Sequence, residues 1–244
     1  MPLKIKIGGR TLYEHRFIIG YSKICVKSDL KEAIPKACEK IKHHIEELFA
    51  YVKENPQILY ALEPLDIRGS NAPPVIRRMI HASKTANVGP MASVAGAIAD
   101  LGLEALLEMG ASIAIVEDGG EVSAYTSEPI SISIITGEER LSGKIGFLIT
   151  KDDSPVGIAT STGKTERVIN FGEADAVTVV AENAAVADAA ATSICNAVTG
   201  INVKESILKG LERAKKIRGV RGAIIVRDGK IGFSGKLPKI IRIK

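Results

Sequence analysis

The 244-residue sequence predicts an α+β domain in which central β-sheets are layered against Ala-rich, buried helices. Three observations point there. The stretch 183–198 reads Asn-Ala-Ala-Val-Ala-Asp-Ala-Ala-Ala-Thr-Ser-Ile-Cys-Asn-Ala-Val; it is strongly helix-forming yet carries no Lys or Glu, so its place is the interior. The stretch 89–109 is a second helix, small and apolar for its first two turns. Around these two, short runs rich in Val and Ile are separated by Gly, Asn and Asp turns.

In chain order, 3–7, 11–19 and 22–26 read as strands of a meander, with Gly8-Gly9 as a turn. A helical region starts at Ser28-Asp29, takes Pro35 in the first turn of its main helix, and ends at Asn55-Pro56; Ile41, Ile45, Leu48, Phe49 and Val52 mark its buried face. His43 and His44 point about 100° apart on this helix and read as surface residues. A short helix follows at 57–62, then a loop at 64–74, then an amphipathic helix at 75–86 with Arg77, Arg78 and Lys84 outward. Gly89-Pro90 opens the next helix and Gly110 stops it. Strands are expected at 111–116, 122–125, 130–135, 144–150 and 175–180, with a loop at 137–142. After the 183–198 helix, 203–217 is a basic amphipathic helix. The runs 220–226, 231–234 and 239–243 form a closing meander around an Asp228-Gly229 turn. No repeat and no long linker divides the chain, so 1–244 reads as a single domain.

Composition excludes several functions. Three widely spaced cysteines (Cys25, Cys38, Cys195) argue for a reducing compartment and against a disulfide framework. The N-terminus lacks an apolar signal core, and no apolar run reaches a membrane span, so the expected location is cytoplasmic without a membrane partner. Thirteen Lys and Arg against three Asp and Glu fall in 203–244. No aromatic platform or nucleic-acid motif accompanies them. They read as a solvated basic face, or a wall towards a phosphate-bearing ligand, rather than a nucleic-acid surface. Small nucleotide-like ligands, and at most further copies of the chain, are the expected partners.

Chemistry concentrates on the 183–198 helix. Asp188 and Thr192 are four apart and share a face, with Cys195 on the same side. A carboxylate and a hydroxyl on an apolar helix must find partners, either a hard cation such as Mg²⁺ or backbone N–H groups of a neighbouring segment. The 89–109 helix offers an anion-binding N-terminus, or is simply a core helix with Gly96 at a helix crossing; Asp100 lies where it turns amphipathic. Glu117-Asp118-Gly119-Gly120-Glu121 is either a hairpin turn or a site where glycines let a ligand approach acidic side chains. Gly157 to Gly163 ends a strand in Thr160, Ser161 and Thr162, beside Lys164 and Arg167. That composition suits phosphates or ring edges, although the spacing is not that of a P-loop.

Three stretches in order, Gly96-Ala97-Ile98-Ala99-Asp100 leading to Gly119-Gly120-Glu121, Ile158-Ala159-Thr160-Ser161, and Ala187-Asp188-Ala189-Ala190-Ala191-Thr192, resemble motifs of the ApbE-like superfamily of FAD:protein FMN transferases. A prokaryotic, uncharacterised branch of that superfamily is similar over nearly the full length, through Val88 to Ala97, Gly119 to Glu121, Thr160 to Thr162, Phe171 to Ala176 and Ala187 to Thr192. The resemblance implies an ApbE-like fold. It implies that Asp188 and Thr192 hold Mg²⁺ with the carbonyl of Ala184, and that Gly119, Gly120, Glu121, Thr160, Ser161 and Thr162 line a pocket for FAD or FMN. Asp100 would orient a ligand group or act as the base. Departures bear on activity: Ala95 stands where the transferases have Lys, Glu121 where they have Asp, and 167–171 in place of a His-x-x-Asp-Pro stretch. Thr162 and Arg167 also differ from the branch.

Three functions are thus expected in order of support: a Mg²⁺-dependent flavin-nucleotide binder with transferase- or hydrolase-like chemistry; an accessory in sulfur assimilation and homocysteine formation, which the resemblance to the branch implies, with Cys195 as a persulfide carrier; and a non-catalytic module that docks through the basic C-terminal stretch.

Overall fold

The computed structural model describes residues 2–7, 10–67, 71–134, 143–164 and 170–243. The expected Gly8-Gly9 turn, the 137–142 loop and Arg167 lie outside them. Strands β1 (Leu3–Ile7), β2 (Arg10–Ile19) and β3 (Ser22–Ser28) form the first meander. Helix α1 (Ala33–Glu54) follows; Ala33, Ala37, Ile41, Ile45, Leu48 and Val52 recur at helical spacing and are buried. His43 is exposed, whereas His44, expected at the surface, is half-buried because its Nδ1 lies 2.8 Å from Glu47 Oε2. Short α2 (Gln57–Tyr60) leads to α3 (Pro74–Ala86), which ends on Asn87 in the left-handed conformation.

A 3₁₀ turn, Pro90–Ser93, precedes α4 (Val94–Glu108), so the helix starts later than Gly89-Pro90 suggests. Contrary to expectation, Pro90–Glu108 is long and apolar enough to cross a membrane by composition, but it is a core helix, mostly buried within the protein. Strands β4 (Ile113–Asp118) and β5 (Glu121–Thr126) form a hairpin. Both of its turn residues have positive φ, Gly119 at 66° and Gly120 at 123°. Then come β6 (Ile130–Ser133), β7 (Ile145–Ile149), β8 (Val156–Ser161) and β9 (Ala176–Ala181). Helix α5 (Ala184–Ala197) is capped by Asn183, whose Oδ1 accepts the Val186 N–H at 2.9 Å. Helix α6 (Val203–Lys216), β10 (Val220–Arg227), β11 (Lys230–Gly235) and β12 (Lys239–Arg242) complete the chain.

Nine strands make one antiparallel sheet in the order β1-β2-β3-β4-β5-β8-β9-β10-β11. The closing meander is not what the sequence suggests: β12 leaves β11 and pairs with β7 in a separate three-stranded sheet, β12-β7-β6. Gly235, at φ 74°, turns the chain, and Pro238 has no N–H for the large sheet's ladder. One face of the large sheet carries the helices over a core that includes Val26, Val116, Ala159, Val177 and Val179. The other face packs the small sheet through Val122, Ile158, Val180, Phe147 and Ile149.

The helices cross at Gly96. A Cβ there would lie 2.2 Å from the Ala184 oxygen and 2.8 Å from the Ala185 Cα, so only glycine permits this approach of α4 to α5. The basic C-terminal stretch divides. Arg213 donates to the Ala86 carbonyl and Ser193 Oγ, and Arg221 to the Asp153 and Pro155 carbonyls, as internal ties. Lys204, Lys209, Lys215 and Lys216 form the solvated face of α6. Gly96→Ala should therefore lower unfolding free energy by about 1–3 kcal/mol in chemical denaturation, the cost of overpacking a close contact; an unchanged midpoint would contradict the crossing.

Candidate functional site

The two Ala-rich helices exchange carboxylates. Asp100, on α4, accepts from the Ala184 N–H (2.9 Å, Oδ1) and the Ala185 N–H (3.0 Å, Oδ2), the first amides of α5. Asp188, on α5, accepts through Oδ2 from the Gly96 N–H (3.0 Å) in the first turn of α4. Each Asp stands four residues after the position its partner helix approaches. Free N–H groups and the positive end of the helix dipole make each first turn a carboxylate site.

The two carboxylates then differ. Asp100, 3% exposed, also receives the Ser123 hydroxyl at 2.6 Å, and Arg78 Nη1 stands 3.8 Å from its Oδ2. Burial pushes its pKa up, while Ser123, the two amides and Arg78 pull it down. The sequence suggested Asp100 as a group that orients a ligand or acts as base; in the structure its oxygens are engaged by Ser123 and two backbone amides. It is the group that fixes the start of α5. Arg78, expected to point outward, turns inward to Asp100 and Glu104.

Asp188 has one protein donor among the described residues and keeps some contact with solvent, although protein atoms crowd it. Burial raises its pKa well above the ordinary carboxylate value, as do the nearby charges of Glu121, then Asp118 and Asp100; the Gly96 N–H opposes them. Glu121 and Asp118 are cross-strand partners at the β4–β5 turn, on the sheet face that carries the helices. Burial and then the charges of Asp118 and Glu117 push Glu121 up to about 7. Asp118 rises to about 6, mainly by burial, although Ser22 Oγ donates to it at 2.9 Å. The Gly119-Gly120 stretch is thus a hairpin turn and also the edge of an acidic cluster.

The expected metal ligands are only partly brought together. Thr192 lies one turn beyond Asp188 on the same half-open face, and its hydroxyl makes no hydrogen bond among the described residues. The Ala184 carbonyl does not join them: Ala184 is fully buried and its oxygen is covered by Gly96. Among the described residues no three His, Cys, Asp or Glu side chains converge on one metal position. The donors that remain, Asp188 with Glu121 nearby and the Thr192 hydroxyl, suit a hard cation such as Mg²⁺, which takes one or two carboxylates and completes its shell with water and ligand phosphate.

The three hydroxyls at the end of β8 also separate. Strand alternation sends Thr160 to the small-sheet face, where its Oγ1 meets Thr178 Oγ1 at 2.9 Å. The Thr162 hydroxyl serves a turn, accepting the Lys164 N–H at 3.1 Å. Ser161 faces the helix side and accepts from Asn170 Nδ2 at 2.9 Å. Next to Asn170, the Phe171 N–H donates to Asn196 Oδ1 at 2.8 Å. The sequence marked Asp118 only as part of the acidic flank of Gly119-Gly120, and it did not mark Ser123, Asn170 and Asn196 as site residues. The i+8 spacing of Asn196 from Asp188 is the signal that could have found one of them.

Cys195 is fully buried, and burial pushes its thiol up to about 11. It should resist alkylation in the native protein and react only after denaturation, read by mass spectrometry; rapid native labelling would restore it as a candidate sulfur carrier. The carboxylates give a pH prediction. The fold holds protons on Glu121 and Asp118 that the unfolded chain releases near their ordinary values of 4.5 and 3.8. Their contribution to stability is full below those values and is lost as pH rises through about 6 to 7. In chelator, the melting temperature should fall over that window, and Glu121→Gln should flatten the fall; an identical pH profile for the variant would count against the cluster.

A family model described as AbpE bacteria matches residues 14–231. A UPF0280 protein of Methanocaldococcus jannaschii is 38% identical over 232 residues, covering 94% of this chain and 93% of its own. Another, of Methanopyrus kandleri, is 35% identical over 236 residues, covering 96% and 95%. Among solved structures, the flavin transferase ApbE from Vibrio cholerae aligns with a TM-score of 0.54 at 15% identity, over 91% of this chain and 96% of that one. The ApbE protein from Thermotoga maritima gives 0.55 at 14% identity, over 95% and 96%. By the extent of the family match and of these relatives, the chain belongs to the AbpE bacteria family, and it shares the fold of the ApbE structures.

Proposed function

We propose that this protein binds a flavin nucleotide, FAD or FMN, or a related phosphate ligand, together with Mg²⁺, on the half-open face of α5. One observation carries the reading: Asp188 and Glu121 are crowded, like-charged carboxylates without an ion pair among the described residues, next to a hydroxyl without a partner. Burial first, and then neighbouring negative charge, raises both pKa values, and no cation is paired with either group among the described residues. A divalent cation removes that penalty and presents its open positions to a phosphate or pyrophosphate. Asp188 and Thr192 would hold the ion, with Glu121 contributing charge. When bound, Mg²⁺ would supply neutralisation of the phosphate charge.

The protein's own residues perform the positioning. Asp100 sets the start of α5 and so the place of Asp188, while Gly119 and Gly120 keep the turn beside Glu121 free of side chains. The flavin-transferase fold of the structural neighbours supports a flavin-related ligand. Ala95 and the 167–171 stretch, in place of the transferases' Lys and His-x-x-Asp-Pro, favour binding over FMN transfer. No observation favours the sulfur-carrier role, since the Cys195 thiol is shut inside the core.

Calorimetric titration of FAD tests the reading. Binding should require Mg²⁺ and weaken at least about tenfold in Asp188→Ala, the scale seen when groups that orient a metal's ligands are removed. Because Asp188 also caps α4, Thr192→Val should be measured in parallel, as it leaves that cap intact. Metal-independent binding, or none in either condition, would overturn the proposal.

A further inference from the structure

Helix α5 opens along one stripe. Asp188, Thr192 and Asn196 are partly exposed, while every residue between them is buried. These positions are successive i, i+4 neighbours, so the stripe runs about 12 Å along the helix axis. Phe171 stands at its far end. The side chain is 62% exposed. Its backbone is nevertheless tied down. The Phe171 N–H is held by Asn196 Oδ1, the Gly172 N–H by Asn170 Oδ1 at 3.1 Å, and Asn170 Nδ2 holds Ser161. Gly172 lies so close to the Cys195 carbonyl that a Cβ there would be 1.7 Å from its oxygen. The segment is therefore locked against the C-terminal end of α5 while the ring is left open, and no other aromatic ring stacks on it among the described residues.

We propose that Phe171 is the stacking platform for the flat heteroaromatic ring of the ligand whose phosphate is held at Asp188 and Thr192. This rests on the function proposed above and deepens it. The stripe has a charged end for phosphate and metal, and an apolar end for a ring, joined by a helix face of small side chains. A sugar or sugar-alcohol chain between phosphate and ring would lie over Thr192. Offset stacking on an exposed ring suits any planar π-system, so an isoalloxazine and an adenine share this chemistry.

The test is calorimetric titration with Mg²⁺ of FMN, ADP and inorganic pyrophosphate into wild type, Phe171→Ala, Phe171→Leu and Phe171→Trp. Removing the ring in the Ala and Leu variants should weaken the ring-bearing ligand about tenfold, the scale of one stacked base. Phe171→Trp should retain affinity, and pyrophosphate should bind all four proteins alike. Loss confined to FMN assigns the platform to the isoalloxazine; loss confined to ADP assigns it to adenine. Equal affinity of every variant for FMN and ADP overturns the platform while leaving the metal and phosphate site standing. Weaker pyrophosphate binding in Phe171→Ala and Phe171→Leu also overturns it, since Phe171 would then act through the loop. Failure of wild type to bind any of the three ligands sinks the proposed function itself.

Discussion

The exchange of carboxylates between α4 and α5 is the constraint on which the rest depends. Two helices of small side chains have little apolar bulk with which to fix their relative position. Here position is set by polar geometry instead: Asp100 seats the first amides of α5, and Asp188 seats an amide in the first turn of α4. Such contacts are worth up to about 2 kcal/mol each in partly buried settings. They are also directional, so a slip by one residue breaks both. The approach at Gly96 is the steric counterpart of the same lock.

The two halves of the exchange are unequally satisfied, and this separates structure from chemistry. Asp100 has three hydrogen-bond donors and a nearby guanidinium, and it needs nothing more. Asp188 has one donor and faces Glu121 and Asp118, which raise its pKa further. Two carboxylates in almost the same relation to a helix end thus have different capacities. One is used up in holding the fold, and the other has coordination to spare. The β4–β5 hairpin makes the difference, because its turn brings acidic rather than basic groups to the Asp188 side.

Much of this layout was legible in the sequence, and the misses have physical reasons. The two Ala-rich helices, the Asp188/Thr192 face and the Gly119-Gly120 turn follow from local rules of propensity, helical spacing and positive φ. The course of β12 was not legible, because its choice between two sheets is a long-range packing decision. The hydrogen-bond partners of Asp100 were not legible because they lie 23 and 84 residues away, at Ser123 and Ala184. Thr160 and Ser161 look equivalent in sequence, but strand alternation places them on opposite faces, and only a known sheet position says which face meets α5. The Ala184 carbonyl is covered for the same reason that Gly96 is required, the close crossing of the helices.

The departures from the transferase pattern can be read electrostatically. A Lys at position 95 would stand beside Gly96, in the first turn of α4, where a positive charge offsets carboxylates on the facing helix. Ala95 leaves that offset out and stays partly exposed. Glu121 in place of Asp keeps the negative charge and extends its reach by one methylene. The cluster is thus without that positive charge, and burial, then the charges of Asp118 and Glu117, push Glu121 up to about 7. The charged end of the α5 face therefore carries crowded negative charge with no ion pair among the described residues, while Asp100 holds the start of α5 through the Ala184 and Ala185 amides.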